Sequence, residues 1–394
     1  MNVELRQRLA GAIAIDHALT EIERQIEFLL AVTPANAAEA WADFERNGFS
    51  IEPTLQSRPL GFDPDLVRRR LYNLEIETVE DRSLAQLLLA KRDELVREVT
   101  LLVDRDTSRF LYGSLQLFGD VHESLEAEAT HLLEEIPPAP DKDSHVTATG
   151  FAEAAKAELD YYRSRYEGFD LGLEIRPDVA DLMVSHGRLL IPTQAVFRSR
   201  RVDALVQHEV GTHMLTYANG SVQPLDVLAV GLPGYDETQE GLAVLAEFVS
   251  GGLDPHRLRL LAARVIAVAR LVAGRGFLEI FVELHERLGF GPKTAWATTM
   301  RVTRFGGLTK DVIYLRGIGR VLEFAHERKD LDSLLVGKLS LEQVPLVEEL
   351  LEREMLRPPW LRPRWLEGSA AAERLQRVYG GMAARDLIET EARR

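Results

Sequence analysis

Apolar residues recur every three or four positions along the first third of the chain, which predicts a mostly helical N-terminal region. Ala14 to Leu30 shows this spacing, and so does the longer stretch from Val79 to Asp104. Asp63-Pro64 is typical of a helix start, with a capping carboxylate before a proline, and predicts a helix up to Tyr72. Phe110 to Gly119 is short and apolar, and its pattern assigns it to no element.

Prolines and polar residues follow this helical region and predict a linker. Ile136 to Ser144 contains three prolines, and proline removes helical hydrogen bonds. We therefore predict a helical scaffold or lid over residues 1–136, a linker over 137–150, and a third part over 151–394 that carries the candidate chemistry.

Beyond the linker, alternating apolar and polar residues predict a small sheet. Leu171 to Ile175 alternates, and two further apolar runs flank Ser185-His186-Gly187. That triplet predicts a tight hairpin in which Gly187 supplies a positive φ, so we interpret His186 as a turn residue. An exposed edge strand of such a sheet can hold an extended peptide through main-chain hydrogen bonds.

After the sheet, an apolar stripe predicts a helix that is buried on one side and runs from Asp203 to a stop at Asn219-Gly220. This helix carries His208, Glu209 and His213. Two imidazoles with a carboxylate beside the first are typical of zinc hydrolases, whose histidines usually lie four residues apart. The stripe consists of Val206, Val210, Met214 and Tyr217.

The two histidines lie five residues apart here, and this spacing needs a physical explanation. On a regular helix, positions five apart differ by about 140°, so the second imidazole would point away from the first. Either a π-bulge or a loosened turn at Gly211 would bring the imidazoles together. We predict one of these between Glu209 and His213.

Chance does not explain the motif well. Given the histidine and glutamate content, roughly 0.025 accidental matches to His-Glu-x-x-x-His are expected. Histidines with purely structural hydrogen bonds remain the alternative. Three further His-Glu pairs lack a histidine four or five residues on, and we interpret them as solvated helix faces: His122-Glu123, His285-Glu286 and His326-Glu327.

Two imidazoles leave a zinc site one protein ligand short, and a carboxylate from a second helix is the usual completion. The next predicted helix opens at Asp236 and contains Glu240 beside Gly241. We favour Glu240 because Gly241 permits a close approach between helices. Glu237 and Glu247 remain open as alternatives, and a glutamate that complements the helix dipole is the non-metal interpretation.

Composition restricts the chemistry further. The chain has no cysteine, so any metal must bind histidine and carboxylate. Its net charge of −15 argues against nucleic-acid binding. The start shows no signal-peptide pattern, and the apolar run Leu260 to Gly274 is broken by Arg264 and Arg270. We therefore predict a soluble cytoplasmic protein without a membrane span, and composition leaves the oligomeric state open.

The histidine motif and Gln239-Glu240-Gly241-Leu242-Ala243 together resemble the family named for its QEGLA motif. Its bacterial members are labelled flavohemoglobin expression-modulating proteins, and its animal relatives are the microtubule-associated tyrosine carboxypeptidases. The resemblance covers the second half and, more loosely, Ser114 to Gly119. It implies a Zn2+ site with His208, His213 and Glu240 as ligands and Glu209 as the catalytic carboxylate.

Met300 to Gly317 contains the candidate substrate-binding residues. Three early cations, a glycine pair and a tyrosine lie close together there in an otherwise acidic protein. A carboxypeptidase must bind a free terminal carboxylate, which arginine contacts bidentately and lysine as a point charge. We predict that Arg304 and Lys310 bind it, with Arg301 in reserve and Tyr314 as oxyanion donor. Surface salt bridges are the alternative role for each.

The expected fold is α+β and predominantly helical, with a zincin-like metallopeptidase core in residues 151–394. The expected function is zinc-dependent removal of a C-terminal aromatic or bulky residue from a peptide or protein, with Glu209 as general base. An aminopeptidase would need carboxylates for the free amine, and Glu237 or Glu247 are available. The same zinc site would also suit an endopeptidase, and a non-catalytic binding protein could retain it.

The sequence of the C-terminal part predicts a structural scaffold. Leu331 to Arg353 has a helical pattern, with Ser340 as a plausible cap. Pro358 to Trp365 is rigid and aromatic, and we expect it to pack on the core.

Overall fold

The computed structural model describes residues 3–138, 143–179 and 181–388. The chain forms two compact units, each assembled from segments that are distant in sequence. Unit 1 comprises Met1–His17, Pro140–Pro255 and Arg316–Arg394, and unit 2 comprises Ala18–Ala139 and His256–Leu315.

The predicted division into residues 1–136, 137–150 and 151–394 stays a prediction, and residues 139–142 of the linker lie outside the described residues. The chain passes from unit 2 to unit 1 between Ala139 and Pro140, inside the predicted linker. The units differ from the predicted division in two respects. Residues 256–315 belong with the N-terminal segment, and residues 1–17 belong with the C-terminal part.

Helices make up most of the described chain, as the apolar spacing predicted. Single π-helical turns occur at Glu209–Met214 and Glu283–Arg287. The α-helices are α1 (Val3–Ile26), α2 (Phe28–Ala31), α3 (Ala37–Arg46), α4 (Pro64–Tyr72), α5 (Arg82–Val103), α6 (Arg109–Phe118), α7 (Glu123–Glu135), α8 (Ala148–Arg163), α9 (Val202–His208), α10 (Leu215–Ser221), α11 (Val227–Val230), α12 (Tyr235–Val249), α13 (Pro255–Val272), α14 (Phe277–Val282), α15 (Pro292–Thr303), α16 (Ile313–Arg328), α17 (Val344–Glu352) and α18 (Ser369–Gly380). Short 3-10 turns lie at Ile76–Thr78, Ser199–Arg201, Arg304–Gly306, Thr309–Val312, Asp332–Leu335, Leu341–Gln343, Arg364–Leu366 and Ala384–Leu387.

Unit 1 contains two small sheets, so the predominantly helical α+β class is confirmed. The strands are β1 (His145–Thr147), β2 (Gly172–Arg176), β3 (Met183–Ser185), β4 (Arg188–Pro192) and β5 (Val196–Arg198). β1 pairs antiparallel with β5. In the second sheet, β4 lies between a parallel β2 and an antiparallel β3.

The predicted hairpin is confirmed. Ser185 pairs with Arg188, which leaves His186 and Gly187 as a two-residue turn with φ angles of 47° and 74°. Positive φ at both positions is typical of a type I′ turn. The hairpin strands β3 and β4 contact the π-helical turn at Glu209–Met214, so this small sheet lies beside the histidine motif.

Local signals determine several helix starts in unit 2. Asp63 caps α4 by accepting the backbone N–H groups of Asp65 and Leu66. The stretch that the pattern left unassigned is helix α6. Aromatic contacts join the two segments of this unit, since the Phe44 ring lies 5.4 Å from Phe277 and 4.8 Å from Phe281.

The predicted continuous helix from Leu331 to Arg353 is wrong over its first part. A 3-10 turn and a non-helical stretch precede α17, although Ser340 does form a capping box with Gln343. The physical reason is backbone pairing elsewhere, because Lys338 donates its N–H to Leu228 O (2.8 Å) and accepts from Leu232 N (2.9 Å).

Among the described residues, no helix combines the length and the apolar composition needed to cross a lipid bilayer.

Candidate metal centre

The predicted widening of the histidine helix is confirmed. α9 ends at His208, a π-helical turn spans Glu209–Met214, and α10 continues the same helix to Ser221. A π turn closes over five residues, so positions five apart lie on the same face. The two imidazole centres of His208 and His213 are therefore 5.0 Å apart, with their planes at 81°.

Gly211 allows this turn because of packing. A Cβ at Gly211 would lie 2.6 Å from Gln207 Oε1 and 3.0 Å from Trp365 Cδ1. The widened turn leaves carbonyls without their usual helical donors. The Trp365 indole N–H donates to Gly211 O (3.1 Å), and the Thr212 hydroxyl donates to Gln207 O (3.0 Å). The buried Trp365 also confirms that the aromatic C-terminal segment packs on the core.

Glu240 brings a carboxylate to the two imidazoles from α12. Its Oε2 lies 3.6 Å from His208 Nε2 and 3.9 Å from His213 Nε2. One ligand atom from each of these three residues lies within 4.8 Å of the other two. Gly241 permits a close helix approach as predicted, and the neighbour is α16, since a Cβ there would lie 2.4 Å from the backbone of Gly317.

The distances from Glu240 to the two imidazoles are close to those between donors around a tetrahedral zinc ion. Zinc bonds of about 2.0–2.1 Å place neighbouring donors about 3.4 Å apart. The observed separations of 3.6 and 3.9 Å need only small side-chain adjustments to meet that distance. Glu209 is buried beside this group, with Oε1 3.9 Å from His208 Nε2. It therefore lies next to the place that such an ion would occupy.

The two alternative carboxylates have different partners. Glu247 is fully buried and accepts a hydrogen bond from His208 Nδ1 (2.8 Å), while its second oxygen pairs with Arg201 (2.6 Å). Glu237 pairs with Arg316 (2.6 Å) and with Arg320 (2.8 Å). Glu247 thus orients an imidazole, as carboxylates behind metal-binding histidines commonly do.

The electrostatics of the two imidazoles differ. Burial alone lowers the pKa of His208, but hydrogen bonds with Glu240 and Glu247 and the charge of Glu209 raise it to about 9. Burial lowers the pKa of His213 to about 4, against the charge of Glu240. The charges of His208 and Lys338 act in the same direction as burial. Three carboxylates thus surround the imidazole pair, an arrangement that favours a bound cation.

A second grouping of three donors occurs within the described parts of the chain: Asp16, His17 and Asp226. Here Asp16 already accepts the backbone N–H groups of Asp226 (2.6 Å) and Val227 (2.9 Å). This carboxylate therefore caps the start of α11, and the grouping has a structural explanation.

The predicted substrate-binding residues lie in unit 2. Arg301 holds the buried Asp311 bidentately (2.8 and 2.7 Å). Burial opposes the charged form of Asp311, but the charges of Arg301 and Arg264 outweigh it and hold the pKa of Asp311 below its ordinary range. The guanidinium carbon of Arg264 lies 4.6 Å from the centre of the Tyr314 ring. Arg301 thus has a structural partner.

Arg304 and Lys310 are both buried in unit 2, and the Lys310 ammonium lies 5.0 Å from the Phe118 ring centre. The metal donors belong to unit 1. The roles predicted for Arg301, Arg304, Lys310 and Tyr314 stay predictions.

Sequence reasoning missed two features of this centre. Glu247 was considered as a metal ligand or as an amine-binding carboxylate, not as a partner of His208, although its seven-residue spacing from Glu240 already placed both on one face of α12. The indole of Trp365 had no signal in the sequence, since it reaches Gly211 across more than one hundred positions.

The observations define a helical α+β protein with a candidate His-His-Glu metal centre and the buried carboxylate of Glu209 beside it. The chain belongs to the microtubule-associated tyrosine carboxypeptidase family, whose model matches residues 42–382. This confirms the resemblance drawn from the two motifs.

Two curated relatives show the same relationship. Microtubule-associated tyrosine carboxypeptidase 1 of Mus musculus is 30% identical over 180 residues, and that of Homo sapiens is 31% identical over 183 residues. Each match covers 42% of this chain and 37% of the relative, so the chain matches little more than a third of their length. No solved structure matches the chain significantly, and the zincin-like core stays a prediction.

Proposed function

We propose that this protein is a zinc-dependent metallopeptidase that removes the last residue, preferably aromatic or bulky, from a peptide or protein with a free C-terminus. The observation that carries the proposal is the convergence of His208, His213 and Glu240 within 4.8 Å beside the buried Glu209. The names of the curated relatives support the carboxypeptidase class. We also propose that the protein is cytoplasmic.

His208, His213 and Glu240 would hold the ion, and the chemistry of the donors suits zinc, which accepts imidazole and carboxylate. When bound, the ion supplies a Lewis acid that makes water acidic near neutral pH and polarises a carbonyl. Glu209 takes the proton from the attacking water and passes it to the leaving amine. Glu247 and Arg201 hold His208 in place during these steps.

The sheet beside the π turn offers a place for the substrate backbone. β3 is an edge strand and contacts this turn. An extended peptide can add to such an edge through main-chain hydrogen bonds.

An aminopeptidase is less well supported by the geometry. Its free amine would need a carboxylate near the metal, and Glu237 or Glu247 were the candidates. Glu237 is neutralised by two arginines, and Glu247 by Arg201 and His208. Two further alternatives, an endopeptidase and a non-catalytic binding protein, are distinguished from a carboxypeptidase by the experiment below.

The direct test compares wild type, Glu209→Gln and Glu286→Gln for zinc content and for trimming of a peptide library. Glu286 is exposed and receives the same chemical change, although its neighbour His285 is half-buried and bonded to Phe290 O, not solvated as predicted. We expect Glu209→Gln to keep its zinc and to lose about 10²–10⁴-fold in trimming rate, while Glu286→Gln behaves like wild type.

Equal trimming by wild type and Glu209→Gln would refute the catalytic role. Release of N-terminal residues would move the assignment to an aminopeptidase, and internal cleavage to an endopeptidase. Zinc binding without cleavage would leave the non-catalytic alternative.

A further inference from the structure

Lys338 lies in a segment of unit 1 whose backbone is held in place. Its N–H and carbonyl bond to Leu228 O (2.8 Å) and Leu232 N (2.9 Å). The preceding Gly337 lies so close to α11 that a Cβ would meet Leu228 O at 2.7 Å. The backbone position from which the Lys338 side chain extends is therefore defined by these contacts.

The Lys338 ammonium lies between the two helices that supply the metal donors. It is 5.8 Å from the ring centre of Tyr217 and 5.5 Å from that of Tyr235. Tyr217 follows His213 by four residues and so shares its helix face, and Tyr235 begins the helix α12 that carries Glu240. All three side chains are half-buried, so each keeps part of its surface accessible.

Two cations, Lys338 and Arg201, lie near the candidate metal donors. Lys338 is close enough to His213 for its charge to act on that imidazole. Arg201 pairs with the buried Glu247 at 2.6 Å, and the other oxygen of Glu247 bonds to His208 Nδ1. An arginine that balances a buried carboxylate cannot be diverted to a substrate without leaving that carboxylate uncompensated.

We propose that Lys338 binds the terminal carboxylate of the substrate, with Tyr217 and Tyr235 contacting the last side chain. The inference rests on the proposed carboxypeptidase function and assigns its substrate recognition to a residue outside the Met300–Gly317 segment. A lysine contacts a carboxylate as a point charge, and partial burial strengthens that attraction. Aromatic walls suit an aromatic or bulky last residue.

The test measures the preference for a free carboxylate. N-acetyl-L-tyrosine and N-acetyl-L-tyrosinamide differ only at this group, and their binding to the zinc-loaded protein is followed by calorimetry. The variants are Lys338→Met, which removes the charge and keeps the stem, and Lys338→Arg, which keeps the charge. Lys156→Met is the matched control, since Lys156 is exposed and forms a surface ion pair with Asp160.

We expect wild type, Lys338→Arg and Lys156→Met to bind the acid about tenfold or more tightly than the amide, as a charge-assisted contact implies. Lys338→Met should bind both equally. With a peptide substrate, Lys338→Met should raise KM by a similar factor and change kcat little.

An acid preference that persists in Lys338→Met, or that disappears only in Arg304→Gln, would overturn the assignment to Lys338. The two proposals fail separately. A wild-type protein that shows the Lys338-dependent preference but trims no peptide would keep the carboxylate site and refute the hydrolytic function.

Discussion

At the scale of single residues, the buried Glu247 supports the candidate metal centre. It is fully buried, and it holds His208 Nδ1 on one oxygen and Arg201 on the second. With Nδ1 bonded to Glu247, Nε2 is the nitrogen that faces Glu240 and that would bind the proposed ion.

We predict that Glu247→Gln weakens zinc binding by about 10–100-fold, as is typical when the partner of a metal-binding histidine is changed. Competition with a chelator of known affinity measures this loss, and Glu286→Gln is the control. Unchanged zinc affinity in a folded Glu247→Gln protein would show that His208 needs no such support.

Single residues also show how much of the candidate site could be predicted from the sequence. The choice of His208, Glu209, His213 and Glu240 as candidate site residues followed from motif chemistry and family resemblance. Helical spacing placed Glu247 on the same helix face as Glu240. It could not show whether Glu247 would bind a metal ion or form a hydrogen bond with His208 Nδ1. That outcome depends on the offset between two helices, which is a tertiary property.

At the scale of elements, the π turn is the feature that brings the histidines together. A spacing of five residues predicted it because only a widened turn places both imidazoles on one face. The turn is supported from a distant part of the chain, since Trp365 donates to Gly211 O at 3.1 Å.

We predict that Trp365→Phe lowers the free energy of unfolding by about 1–3 kcal/mol, because it leaves a buried carbonyl without its donor. Zinc affinity should fall as well, since the turn that places His213 loses support. Urea denaturation and chelator competition measure the two effects. Trp360→Phe is the control, since Trp360 is half-buried and packs against Tyr166. Equal effects of the two substitutions would contradict a specific role for the indole N–H.

Elsewhere, the elements that depend on residues near in sequence were predicted correctly, and those that depend on distant contacts were not. The Asp63 cap and the His186-Gly187 turn depend on neighbours in sequence, and both predictions are confirmed. The helix predicted over Leu331 to Arg353 failed where Lys338 pairs with the backbone of α11. Its apolar pattern was real, but a partner more than one hundred residues away changed the outcome.

At the scale of the whole molecule, long-range contacts decide how the segments group. Residues 256–315 join residues 18–139, and no local pattern in either segment indicates this partnership. Within unit 1, Asp16 of α1 caps the distant helix α11 through two backbone N–H groups.

The burial of Asp16 makes the free energy of unfolding depend on pH. Burial raises the pKa of Asp16 from 3.8 to about 6, against the two backbone hydrogen bonds. The charge of Asp226 adds to the increase, and that of His17 opposes it. Because the folded state binds this proton more tightly than the unfolded state, the stabilising contribution is complete below pH 3.8 and is lost as the pH rises through about 6.

We predict that wild type gains roughly 2–3 kcal/mol in free energy of unfolding relative to Asp16→Asn between pH 7 and pH 4. Urea denaturation of both proteins at several pH values gives this difference directly. A difference that stays constant, or that grows toward neutral pH, would contradict the raised pKa of Asp16.

The most direct test of the whole proposal is a crystal structure of the zinc-loaded protein with anomalous data collected at the zinc edge. We predict a single strong peak at about 2.0–2.2 Å from His208 Nε2, His213 Nε2 and a Glu240 oxygen, with the helix widened at Glu209–Met214. A peak bound elsewhere, or a regular helical turn from which the two imidazoles diverge, would contradict it.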